Sequence, residues 1–137
     1  MKLSFNRNAV VTIKLHRLLL LLALVVLAAA CSQTGDPGEA MRKYLEARAA
    51  ADANAIRGLS CAAWEGQAAM QADSFRSMNA QLQDVTCTKS GEDGDVTLVT
   101  CDGQIVTSYN GEDRSWELGT YRMVQEDGEW KMCGEAQ

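Results

Sequence analysis

The stretch LQDVTCTKSGEDGDVTLVTCDG, Leu82 to Gly103, decides how this chain is read. On both sides of GEDG, residues 91–94, the period changes to two and β-branched residues are enriched. A period of two broken by a Gly/Asp cluster is the pattern of an antiparallel hairpin. Its two cysteines, Cys87 and Cys101, are equidistant from Gly94. An odd loop, Asp93-Gly94-Asp95, sets them directly opposite each other. At a non-hydrogen-bonded pair the Cα atoms are about 4.5 Å apart, within reach of a disulfide. A two-residue Asp93-Gly94 turn would pair Cys87 with Thr100 and send the sulfurs to opposite faces. The odd loop is the reading that joins the thiols.

The same period continues downstream. QIVTSY (104–109) and RSWELGTYRMVQ (114–125) flank NGED, and EDGE (126–129) precedes WKMCGE (130–135). Asp102 beside Gly103 reads as a turn between two strands. These segments predict an antiparallel meander of four to five strands.

Upstream the period lengthens to that of a helix. In DPGE, Asp36 is an N-cap, Pro37 suits the first helical position, and Glu39 completes a capping box. The helix runs on through Met41, Tyr44, Leu45 and Arg48, which share one face; Arg48 must snorkel. Asp52 caps a second helix limited by Gly58. A third helix is expected within residues 62–82, with Trp64, Ala68, Met70 or Gln71, and Phe75 in phase. Helices first and strands second make an α+β domain, its helices packed on one face of a curved sheet.

The first 30 residues differ in kind. They hold four of the chain's 13 basic residues, none of its 18 acidic ones, and its only histidine, His16. A basic start is followed by thirteen uncharged residues, Leu18 to Ala30. That is short of the roughly 20 a membrane span needs but suits a secretory signal. LAAAC (27–31) resembles the lipobox of bacterial lipoproteins, with Ala28 where leucine is commonest. The resemblance implies cleavage before Cys31 and acylation of its thiol, anchoring an exported protein to the cell membrane on its outer or periplasmic side. The expected division is a signal-peptide helix over 1–30, an acylated tether over 31–37, and one domain over 38–137. Without the signal, nine bases face 18 acids, a net charge of −9 that opposes binding to nucleic acid.

Setting Cys31 aside leaves Cys61, Cys87, Cys101 and Cys133, an even number in an oxidising compartment. With Cys87 and Cys101 joined across the hairpin, Cys61 and Cys133 pair by elimination. No CxxC motif and no exported histidine supports a metal site or a redox dithiol. The acidic tips GEDGD and NGEDRS lack the spacing of a calcium loop. No cofactor is expected.

YLEARAAADANAIRGLSC (44–61) and YRMVQEDGEWKMCGE (121–135) together resemble the nuclear-transport-factor-2-like superfamily, in particular its short lipoproteins of unassigned function. The shared pieces are a Tyr-Leu helix, the Asp52–Ile56 restart and the final hairpin Glu126–Met132. The resemblance implies a cone of helices wrapped by a bent antiparallel sheet, with a pocket between them. The superfamily includes isomerases, dehydratases and non-catalytic modules, so fold alone gives no activity. Its enzymes commonly use Asp with His or Tyr. With no histidine after residue 30, the acid/base candidates are Asp84, Asp102, Tyr109 and Tyr121. Tyr44, Trp64, Tyr121 and Trp130, with Trp116, are candidates to line an apolar pocket, although core packing is the commoner role of such aromatics. No residue is singled out as catalytic. The expectation is a non-catalytic binding or accessory module whose partner is a protein or small molecule. The alternatives are a small isomerase or hydro-lyase, or a structural domain forming a homodimer through its sheet face.

Overall fold

The computed structural model describes residues 35–137, so the expected signal segment and the expected acylation site at Cys31 lie outside the described residues. Helix α1 spans Pro37–Ala49, and the Asp36 carboxylate accepts the Glu39 N–H at 2.8 Å. The capping box is only half formed. The Glu39 carboxylate turns forward to Arg42, accepting from Nε at 2.9 Å and from Nη2 at 2.8 Å. The charge-assisted pair wins over a neutral backbone donor. Asp52 caps α2, Ala53–Gly58, by accepting from the N–H groups of Asn54 and Ala55. Helix α3, Glu65–Ser74, is shorter than the sequence suggested. Its continuation breaks into turns, and Asn79 takes a positive φ of 42°. Ala68 and Ala72 are its buried residues, while Met70 faces solvent.

Five antiparallel strands follow: β1 Gln81–Asp93, β2 Val96–Tyr109, β3 Glu112–Glu117, β4 Thr120–Glu126 and β5 Glu129–Glu135. The order is β1-β2-β4-β5, with β3 also paired to β2. Two expected boundaries move. Asp102-Gly103 is not a turn; β2 runs through it for 14 residues. The break falls instead at Leu118-Gly119, which divides the expected strand 114–125 into β3 and β4. Both lie along the same edge of β2, so together they form one interrupted track.

The reason is a line of irregularities crossing the sheet. β1 carries a bulge between Gln83 and Thr86, and Asp84 has φ 52°. Beside it, Gly103 has φ 100°, and a Cβ there would lie 2.6 Å from Gln83 O and 2.7 Å from Asp84 O. Beyond it, Leu118 N–H bonds Gly103 O at 3.0 Å and Cys101 N–H bonds Gly119 O at 2.9 Å. Bulges increase local twist and bend a sheet. Here one bulge, a left-handed glycine and the Leu118-Gly119 break fall in line across the sheet and divide it into two wings.

The odd loop of the first hairpin is also corrected. Asp93 pairs with Val96, leaving the two-residue turn Gly94-Asp95. Such a turn alone would offset the cysteines. A second irregularity, between Lys89 and Gly91, absorbs one residue and restores Cys87 opposite Cys101. Cys101 directs its N–H towards β4, so the pair is non-hydrogen-bonded towards β1. Its Cα atoms are 4.0 Å apart and the disulfide is made. The second disulfide joins Cys61 to Cys133 with Cα atoms 5.2 Å apart. It ties the segment after α2 to β5. There Cys61 N–H bonds Met132 O at 2.9 Å and Met132 N–H bonds Leu59 O at 2.8 Å, a short parallel bridge.

The core lies between the helices and the face formed by β4, β5, the first half of β2 and the part of β1 around Cys87. Met41, Tyr44, Leu45, Ile56, Val99, Met123 and Met132 are fully buried there. The other wing, β3 with the second half of β2, lies beyond α1 and α2. Among the described residues no helix is long and apolar enough to cross a membrane.

Candidate binding cleft

Where the helices run out and the sheet continues, a cleft of about 450 Å³ opens. Ile105, Leu118 and Tyr121 come from the sheet; Phe75 and Met78 come from the end of α3 and the turn after it. Trp116 stands on the inner face of β3, opposite Ile105, and remains 53% exposed. Its indole N–H donates to Thr107 Oγ1 at 3.3 Å, which fixes the ring against β2. Arg48 closes one end. Its guanidinium lies 5.2 Å above the Phe75 ring and 3.4 Å from the Glu135 carboxylate. Its Nε is buried without a partner. A second hollow of about 190 Å³, bounded by Tyr109, Glu112 and Arg114, shares Trp116 and Met78 with the cleft.

The four aromatic residues expected to line a pocket divide. Only Tyr121 lines this cleft. Tyr44 is fully buried in the core, where its hydroxyl accepts from Trp64 Nε1 at 3.2 Å and reaches Gln71 Oε1 at 3.4 Å. That bond holds both rings between α1 and α3, away from the cleft. Trp130 sits in a shallow depression near the hairpin tips and donates to Gly35 O at 2.6 Å, holding the start of the domain against β5. Trp116 is the aromatic that projects into the open space.

The acid/base candidates do not assemble. Asp84 occupies the β1 bulge, Asp102 is exposed on β2, and Tyr109 is exposed at the strand end; none of the three lines the cleft. Burial pushes the Tyr121 phenol above its ordinary value, although the Arg48 charge pulls the other way. At neutral pH it is therefore a hydroxyl, able to donate but not to act as a base. Arg48, Phe75, Met78, Ile105, Leu118 and Glu135 were not anticipated. One signal was present: Arg48 continues the apolar face of α1, and a cation in an apolar stripe marks where that face stops being core.

A bent antiparallel sheet carrying its helices on one side, with a cleft at their end, is the nuclear-transport-factor-2-like architecture. No family profile and no curated protein matches the sequence. Solved structures match the fold. One is described as an NTF2-like protein with a cystatin-like fold, from Novosphingobium aromaticivorans. It has a TM-score of 0.53 and 15% identity over 83% of this chain and 85% of that one. Another, a function-unknown protein from Mycobacterium tuberculosis, has a TM-score of 0.50 and 16% identity over 72% of this chain and 67% of that one. The chain has this fold, and the likeness read in its helix restart and final hairpin holds at that level.

Proposed function

We propose that this protein is an extracytoplasmic lipoprotein, held to the cell membrane through acylated Cys31, and that it works as a non-catalytic binding module. The observation that carries the binding reading is the exposed Trp116 beside Met78, over an apolar floor left uncovered by the helices. Apolar side chains held rigidly in an open concavity favour a ligand that buries them. An enzyme using Asp and Tyr has less support, since Asp84 and Asp102 stand outside the cleft that Tyr121 lines. The anchoring half of the proposal rests on the basic start, the apolar run and LAAAC.

Each half has its own test. Intact mass spectrometry of the protein from cells is expected to give a chain starting at a diacylated or triacylated Cys31; an unmodified Met1 start rejects anchoring. A thermal-shift screen of apolar ligands is expected to yield hits that Trp116→Ala weakens by about tenfold, or about 1.4 kcal/mol. Hits indifferent to that substitution place binding elsewhere.

A further inference from the structure

Building on the reading of the cleft as a binding element, we propose that its occupant is an extended polypeptide segment that adds as a strand to the open edge of β3. The track formed by β3 and β4 is longer than its neighbour. β5 pairs with β4 from Glu126↔Glu129 to Tyr121↔Glu135, and Ala136 N–H reaches Thr120 O at 2.8 Å. Alongside β3 that lane is unoccupied among the described residues, because β3 pairs with β2 alone. From Glu112 to Leu118 the vacant lane is roughly 20 Å long, by the rise of a strand.

The hydrogen-bonding groups of this edge can be assigned. Leu118 N–H points to β2, where it meets Gly103 O. In an antiparallel ladder the direction alternates, so the N–H and C=O groups of Asp113, Ser115 and Glu117 point into the vacant lane. The side chains alternate too. Glu112, Arg114 and Trp116 lie opposite Tyr109, Thr107 and Ile105, which puts them on the inner face. Asp113, Ser115 and Glu117 take the outer face. A strand entering the lane therefore has two unlike sides. Its inward residues meet Trp116, Leu118, Met78 and Phe75 around the cleft. Its outward residues run beside Asp113 and Glu117.

Charge selects the partner. β3 holds three acids and one base, and all six of its residues are exposed. The exported part as a whole carries −9. A second copy would bring the same acidic edge and be repelled. The surface fits a segment with alternate apolar residues facing inward and Lys or Arg facing outward, bound by main-chain hydrogen bonds with specificity from alternate side chains.

The test uses the full-length protein and a short capped peptide alternating lysine and valine, read by peptide anisotropy and by amide exchange. Nile red is the control for the cleft itself. Peptide binding is expected to protect the amides of Asp113, Ser115 and Glu117. Ser115→Pro, which removes an edge donor and no bond to β2, is expected to weaken the peptide by about tenfold while leaving Nile red unchanged. Charge reversal with Asp113→Lys and Glu117→Lys is expected to weaken it similarly, and serves if the proline variant misfolds. A peptide that binds both variants undiminished, with Nile red still responding to Trp116→Ala, overturns the strand proposal and leaves the binding-module reading intact. Indifference of both probes to Trp116→Ala overturns both. Concentration-dependent dimerisation that Ser115→Pro abolishes overturns the partner's identity in favour of a second copy.

Discussion

At the scale of single residues, the fold depends most on places where a side chain has no room. Gly103 is the clearest. It combines φ 100° with a Cβ position inside contact distance of two β1 carbonyl oxygens. Those atoms belong to backbone and cannot move aside as a flexible side chain could. Gly103→Ala is therefore expected to cost about 3 kcal/mol or more, from left-handed strain and overpacking together. Gly94 is the contrast: φ 61° in open space. Gly94→Ala is expected to cost only about 1 kcal/mol. Urea unfolding of the two variants checks the difference, and equal costs would show that the bend does not depend on the close approach at Gly103. Arg48 follows a different logic. It sits on the core face of α1, yet its charge is met by Glu135 at the rim and by the Phe75 ring. The residue that looked like a defect in an apolar stripe is the edge of the cleft.

At the scale of elements, turn chemistry and register explain most of what was legible. Asn110-Gly111 and Asp127-Gly128 both take positive φ at both positions, with values of 53° and 78° in each pair. Two-residue hairpin loops of this kind match strand twist and are favoured by Asn-Gly and Asp-Gly. Those hairpins could be read directly. The first hairpin shows the limit. Its cysteines are 14 residues apart, an even separation that an odd loop or one bulge can satisfy equally. The pairing was readable because the thiols must meet. The route to it was not, because a bulge leaves no composition signal. The two disulfides close loops of very different size, with separations of 14 and 72. Loop entropy gives about 3 kcal/mol for the first and about 4 kcal/mol for the second. Replacing Cys61 and Cys133 with serine is expected to lower stability more than replacing Cys87 and Cys101, as measured by denaturant midpoint. The reverse order would show that the hairpin bridge supports the sheet bend as well as constraining the unfolded chain.

At the scale of the whole molecule, a small domain has its aromatic groups divided between core and cleft, and the buried phenols make its stability depend on pH. Tyr44 is fully buried and Tyr121 nearly so, and burial raises both above the ordinary value of 10.0. In the unfolded chain these phenols ionise first, so protons are released on unfolding above that value. Their contribution is complete below about pH 10 and is lost as pH rises through the folded values, at up to about 1.4 kcal/mol per pH unit for each phenol. Unfolding midpoints are expected to fall as pH rises above about 10, and to fall less steeply in Tyr121→Phe. A flat profile in this range would mean that the phenols are not protected in solution. What the sequence determined by itself was local: a cap at Asp36, a restart at Asp52, hairpins at Asn-Gly and Asp-Gly, and the even set of four cysteines. Each follows from the conformational needs of a few neighbouring residues. Tertiary structure alone decided where the sheet bends, which aromatic rings are core, and where the cleft lies. Those outcomes depend on which strands and helices meet. Trp64 and Trp116 are the same residue type, but one finds Tyr44 beneath a helix and the other stands on a strand that no helix covers.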